Sequence, residues 1–229
     1  VVLFYDSEFG TPRGYFSSLK IDTDRVLHIP IKNIEELKFD LVKQLEGMTV
    51  EDKVFVMIDS IGNLASKKEL DDAKDEKSVA DMTRAKQLKS LFRMITPYLT
   101  LRDVPLIAVN HTYETQEMFS KQVVSGGTGV YYSSDNIWII GRRQQKKGTE
   151  VEGYDFIINV EKSRFVREKS KIPISVTWQG GIRKYSGLLE VALEGGFVIK
   201  PSMGWYQKLD METGEELEGK YRAGETETK

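Results

Sequence analysis

The sequence predicts an α/β fold: a mostly parallel, twisted sheet flanked by helices, with antiparallel strands on the C-terminal side. Three features predict it. Residues 1–6 (VVLFYD), 54–59 (VFVMID) and 104–110 (VPLIAVN) are short apolar runs that end in polar residues, as suits parallel strands buried on both faces. Stretches with apolar residues at helical spacing separate them, so strand and helix alternate. Residues 137–141, 154–161 and 172–178 are further apolar runs. Basic linkers rather than helices lie between these, and such strands pair antiparallel.

In chain order, residues 1–6 read as a strand and 12–19 as a short helix with Pro12 in its first turn. Residues 26–29 form a brief strand. Ile34, Leu37, Leu41 and Leu45 recur at helical spacing behind Asn33, a good N-cap. After the strand at 54–59, Ser78 caps a long helix with the apolar stripe Met82, Ala85, Leu88, Phe92, Ile95 and Leu99. Residues 112–134 are polar and contain Gly126, Gly127 and Gly129; connections of that length tend to be functional or mobile. Residues 188–193 read as a short helix, and a hairpin is expected around Trp205–Tyr206 and Thr213–Gly214. The polar tail that follows reads as solvated and disordered. Residues 1–200 are expected to form one domain and 201–229 a C-terminal hairpin and tail. The opening at Val1, without Met and inside a strand, reads as a piece of a longer cytoplasmic protein.

Composition narrows the chemistry. The 229 residues are 40% hydrophobic and 30% charged, enough apolar mass for a core. The absence of cysteine excludes disulfides, thiol catalysis and thiolate metal sites. Only His28 and His111 are present, which excludes a multi-histidine metal site. The net charge of −2 means that nucleic acid would be met by local patches rather than by bulk charge. No apolar run approaches the ~20 residues of a membrane span.

Open α/β sheets bind ligands outside the carboxyl ends of their strands. Three predicted strands place polar groups there: Asp6–Ser7–Glu8, Asp59–Ser60 and Asn110–His111. Asp59 ends its run as a Walker B acid does, where Mg²⁺ sits beside nucleotide phosphates, although a strand-ending cap has the same appearance. Glu8 has the chemistry to accept a proton from water, or is a solvated loop acid. His111 can donate to a phosphate oxygen, or is a packing histidine. Their equivalent positions favour a shared site. Gly126–Gly127–Thr128–Gly129 is not read as a phosphate loop, because no convincing helix and no Lys-Ser/Thr pair follows. Arg142, Arg143, Lys146 and Lys147 read as a charged turn. Lys162, Arg164, Arg167, Lys169 and Lys171 alternate at strand spacing, as a solvated face or an anion site.

With these residues assembled, the chain resembles the RecA-family recombinases, in the branch of the tailed-phage UvsX type. The resemblance is carried in order by FYDSEFG (4–10), IDSIGNLASKKE (58–69), DMTRAK (81–86), KSLFRMITPY (89–98), NHTYETQEMFSK (110–121), GGTG (126–129), NVEKSR (159–164), GGI (180–182), YSGLLE (185–190) and GWY (204–206). It implies a RecA-like P-loop ATPase core that uses ATP and Mg²⁺. It also implies a DNA-dependent ATPase whose subunits form helical filaments on single-stranded DNA and exchange strands with a duplex.

By position, Glu8 would activate water, Tyr15 would stack on adenine, Asp59 and Ser60 would serve the Mg²⁺ shell, and His111 would sense the γ-phosphate. Lys162 and Arg164 would reach a neighbouring subunit's γ-phosphate. Residues 67–78, with Lys67 and Lys68, would be the first DNA-binding loop. Residues 112–129 would be the second, with Tyr113, Met118, Phe119, Lys121, Gly126 and Gly127 as its contacts. Mediator and single-strand-binding proteins are implied as partners, in the cytoplasm of an infected host cell. The 229 residues contain no G-x-x-x-x-G-K-[ST] run, so this stretch alone is expected not to hydrolyse ATP. The alternatives are a non-hydrolysing filament subunit or regulator, and a helicase motor on the same fold.

Overall fold

The computed structural model describes residues 1–18, 20–75, 83–116 and 122–226. The chain forms two compact units, Val1–Ser134 and Asp135–Lys229. The position expected to divide the domains, 200/201, lies inside a strand of the second unit.

The first unit is a parallel sheet with helices. Its elements begin with β1 (Val2–Asp6), α1 (Arg13–Ser18), β2 (Val26–Pro30), α2 (Ile34–Glu46) and β3 (Phe55–Asp59). They continue with α3 (Lys67–Lys74), α4 (Thr83–Leu101) and β4 (Leu106–Ala108). Last come β5 (Thr112–Glu114), β6 (Gln122–Val124) and α5 (Thr128–Ser133). The sheet order is β2-β1-β3-β4, with every pair parallel. All four carboxyl ends therefore share one edge. Leu3, Tyr5, Val56 and Ile58 bring sheet side chains into the core; Leu37, Leu41 and Leu45 of α2 and Leu88, Leu91, Phe92 and Ile95 of α4 meet them. Asn33 caps α2 by accepting from the Glu36 amide at 2.8 Å.

Four expectations are corrected in this unit. Residues 67–74, expected as the start of a loop, are the helix α3, capped by Ser66, whose Oγ accepts from the Glu69 amide at 3.1 Å. The buried stripe of α4 is Leu88, Leu91, Phe92 and Ile95, whereas Ala85 is exposed; Ser78 and Met82 lie outside the described residues. The connection after 111 pairs with itself, Thr112 opposite Val124 and Glu114 opposite Gln122. Gly126–Gly129 does lead into a helix, the single turn and a half of α5. Short polar segments without apolar periodicity hid these last two.

The second unit contains β7 (Asn136–Lys147), β8 (Glu150–Ser163), β9 (Lys171–Thr177), β10 (Gly181–Ile182) and α6 (Leu188–Glu194). It ends with β11 (Val198–Ser202), β12 (Trp205–Lys208) and β13 (Tyr221–Arg222). The first four strands form an antiparallel sheet in the order β10-β9-β8-β7, as the basic linkers implied. The run 161–171 is not one alternating strand: β8 ends at Ser163 and β9 begins at Lys171, so Arg164, Arg167 and Lys169 occupy the turn. The described part of the polar tail, to residue 226, is not free of structure: Tyr221 pairs opposite Tyr206. No described helix is long and apolar enough to cross a membrane.

Candidate functional site

The site is built at the carboxyl edge of the parallel sheet. Asp6 and Asp59 end neighbouring strands in register. The chains leaving them are tied together: Ser7 N donates to the Asp59 carbonyl at 2.8 Å, Ser7 Oγ to the Ser60 carbonyl at 2.6 Å, and Ser60 N to Ser7 Oγ at 2.8 Å. The Asp59–Ser60 peptide is cis. Ile61 N donates to the Val109 carbonyl at 2.9 Å, which brings the Asn110–His111 segment beside the loop after Ser60.

Glu8 is held from two directions. Its backbone amide donates to Asp6 Oδ1 at 3.0 Å, as does that of Phe9 at 2.8 Å. Its side-chain Oε1 accepts from Ser60 Oγ at 2.7 Å and from Asn63 Nδ2 at 2.6 Å. Asp6 is buried, and its Oδ2 lies 2.9 Å from His28 Nε2. His28 in turn packs against Phe4 and Phe16, with ring centroids 5.3 and 6.3 Å away. Phe9 takes a left-handed φ of 54°, which turns the chain sharply after Glu8.

Burial, then the charges of Glu8 and Asp6, raise the Asp59 carboxyl above its ordinary pKa. Three acidic side chains thus crowd one corner, and negative charge is in excess there.

His111 is exposed and rests on Gly62: a Cβ at position 62 would lie 2.7 Å from His111 Cγ. The histidine's carbonyl accepts from Ser125 N at 2.9 Å, and Asn110 Nδ2 donates to the Ser125 carbonyl at 2.8 Å. These bonds close the base of the β5–β6 hairpin. Arg84, early in α4, donates through Nε to the Leu64 carbonyl at 2.9 Å. Its second terminal nitrogen donates to the carbonyls of Ile61 at 2.9 Å and Gly62 at 2.7 Å.

The structure thus brings Glu8, Asp59, Ser60 and His111 to one edge. Lys67 and Lys68 stand in the first turn of α3, where Lys68 pairs with Asp72. Tyr113 is exposed on β5. Gly126 and Gly127 have positive φ angles of 92° and 78°, and a Cβ on Gly126 would lie 2.9 Å from Leu88 and Val130. That glycine is required by packing against α4. Met118, Phe119 and Lys121 lie outside the described residues, as does the side chain of Tyr15. Lys162 and Arg164 belong to the second unit, at the end of β8 and just beyond it; Arg164 pairs with Asp135 at 3.2 Å. Sequence reasoning missed Asn63, Gly62, Arg84 and the anchoring pair Asp6–His28. All act through loop conformation, which spacing does not encode.

Comparison with known proteins follows the same lines. Residues 185–229 match the family described as bacteriophage T4 recombination and repair protein, C-terminal domain. The recombination and repair protein of Enterobacteria phage T4 is 56% identical over 230 residues, covering 99% of this chain and 59% of that protein. The RecA proteins of Tropheryma whipplei and Streptomyces rimosus are each 26% identical, over 97% and 90% of this chain and 50% and 54% of their own lengths. The chain therefore spans between half and three fifths of the curated relatives it matches. Over nearly its whole length it is similar to the RecA-family recombinases, and to the phage T4 recombination and repair protein at more than twice the identity it shares with these bacterial RecA proteins.

Proposed function

We propose that this chain is the RecA-like core of an ATP-dependent recombinase, which forms helical filaments on single-stranded DNA and catalyses homologous pairing and strand exchange. The observation that carries the reading is the position of Glu8. Its carboxylate is fixed through Oε1 by Ser60 and Asn63, beside Asp59 and at the sheet edge where His111 emerges. Fixing one oxygen leaves Oε2 to accept a proton from an attacking water.

The donor set fits Mg²⁺ and ATP. The crowded acids around Asp59 have an excess of charge that a divalent cation relieves. Among the described residues no three His, Asp or Glu side chains form a metal cage. Mg²⁺ at nucleotide sites uses one or two carboxylates and completes its shell with water and phosphate. Bound there, Mg²⁺–ATP would supply the phosphoryl group and the charge that neutralises its oxygens. Asp59 and Ser60 would hold the cation's waters, His111 would donate to the γ-phosphate, and Tyr15 would stack on the base. These 229 residues hold no G-x-x-x-x-G-K-[ST] run, so on this reading the backbone cradle for the phosphates would be supplied by other residues.

Lys162 and Arg164 would complete the site from the adjoining subunit. A cation supplied in trans is worth roughly 10³–10⁵ in rate, so turnover would wait for filament assembly. Lys67, Lys68, Tyr113, Met118, Phe119, Lys121, Gly126 and Gly127 would meet single-stranded and then double-stranded DNA. Because His111 is the root of the β5–β6 hairpin, a contact made only with triphosphate would order the DNA-gripping segment. Single-strand-binding and mediator proteins would be its partners in the host cytoplasm.

The test is single-stranded-DNA-stimulated ATP hydrolysis and joint-molecule formation by the recombinase that carries this chain. Glu8→Gln should lower hydrolysis by about 10²-fold or more while DNA binding persists. His111→Ala should abolish the rise in DNA affinity that ATP causes. Undiminished hydrolysis by Glu8→Gln would remove the reading; directional unwinding without joint molecules would replace it with a helicase.

A further inference from the structure

The loop from Ile61 to Leu64 touches both working side chains of the candidate site, and nothing in its sequence announces this. Asn63 Nδ2 donates to Glu8 Oε1 at 2.6 Å. Its neighbour Gly62 lies so close beneath His111 that a Cβ there would fall 2.7 Å from the ring. Ile61 and Leu64 are buried at 1% exposure each, so the two ends of the loop are sunk in the core. Three of the loop's four carbonyls, those of Ile61, Gly62 and Leu64, accept from the single guanidinium of Arg84. Among the described residues the partners of that cation are neutral carbonyls. A planar fork holds its three carbonyls in fixed directions from two separate nitrogens, whereas a lysine's donors all diverge from one atom on a flexible stem.

We infer that this clamped loop is a positioning device: Asn63 orients the Glu8 carboxylate, Gly62 seats the His111 imidazole, and Arg84 fixes the spacing between them. The inference rests on the proposed ATPase reading and assigns residues that the resemblance did not. Asn63 and Arg84 are positioning residues, since they act through Glu8 and His111. Arg84 stands in the first turn of α4. A displacement of α4's first turn would therefore be delivered to three carbonyls and, through them, to both Glu8 and His111.

The experiment compares Asn63→Ala, Arg84→Ala and Arg84→Lys in the recombinase that carries this chain. ATP hydrolysis is measured with and without single-stranded DNA, alongside affinity for a fluorescent ATP analogue and the thermal unfolding midpoint. Misplacement of a catalytic group by about 1 Å costs on the order of 10²-fold. Asn63→Ala should lower kcat roughly 10- to 100-fold with KM, nucleotide affinity and unfolding midpoint unchanged. Arg84→Ala should reduce the ratio of DNA-stimulated to unstimulated rate, and Arg84→Lys should fail to restore it. Glu8→Gln combined with Asn63→Ala should be no slower than Glu8→Gln alone. Wild-type kcat in Asn63→Ala, or losses in kcat, nucleotide affinity and unfolding midpoint in equal measure, would overturn the inference while leaving the ATPase reading intact. A Glu8→Gln variant that keeps its rate would overturn the ATPase reading first, and this inference with it.

Discussion

Asp6 is a carboxylate of 1% exposure, one oxygen of which serves the turn that carries Glu8. Oδ1 takes two backbone amides and Oδ2 faces His28. Asp6→Ala would strand those amides, each at a cost of about 1–3 kcal/mol, and would loosen Glu8. Chemical denaturation of the variant should show the loss, and hydrolysis should fall with it. Asp59 is the opposite case. Burial, then Glu8 and Asp6, hold its pKa above the ordinary value. Its ionised form therefore costs stability. The penalty is absent below the unfolded pKa and complete once pH exceeds the raised one. Asp59→Asn should make the nucleotide-free protein slightly more stable at neutral pH, by less than about 1 kcal/mol after solvent screening, while abolishing Mg²⁺-dependent turnover. Paired thermal melts and hydrolysis assays check both halves. A destabilised Asp59→Asn protein would mean that the acid crowding is not felt.

At the scale of elements, α3 is the instructive one. Its first turn carries Lys67 and Lys68, where the helix macrodipole disfavours cations. The Ser66 cap and Glu69 offset this: Ser66→Ala should cost about 1 kcal/mol, read from denaturant midpoints. Lys68 offsets its unfavourable place against the dipole through its pair with Asp72. Replacing both with Gln should leave the fold intact and weaken single-stranded DNA binding, with the slope of log K against log salt reduced by roughly 1.4. An unchanged slope would remove these two residues from the DNA surface. The helix itself was not legible, because KKELDDAK has only Leu70 and Ala73 as apolar residues and no stripe. By contrast α2 was legible down to its cap, since Asn33 precedes Ile34, Leu37, Leu41 and Leu45, all of which the structure buries. Apolar periodicity reports what faces a core; a polar helix held by a cap and salt bridges has no such signal.

In the whole molecule, each unit has a buried polar centre as well as apolar packing. In the second unit Asp155, 8% exposed, accepts from Arg143 at 2.9 Å, from Ser175 at 2.7 Å and from Gln145. Burial pushes its pKa up, but those hydrogen bonds and the Arg143 charge outweigh it and hold the carboxyl below its ordinary value. Stability from this group is present above the unfolded pKa and is lost as pH falls through the lower folded one. Asp155→Asn should flatten the acid limb of the stability–pH profile, measured by denaturation between pH 2 and 5, a window that spans the ordinary value of about 3.9. That β1, β3 and β4 run parallel was legible in continuous apolar runs ending in polar tips, although the order β2-β1-β3-β4 was not; the gathering of Glu8, Asp59 and His111 at one edge was legible too. The links among them were not, because Asn63 and Arg84 reach their partners by a turn and a helix start far apart in sequence. The seat of His111 on Gly62 also bears on how the molecule can change over generations. Any side chain at 62 evicts the imidazole, so in descendants and cousins the two positions should be exchanged as a couple, a methyl or larger group at 62 appearing only with a different residue at 111.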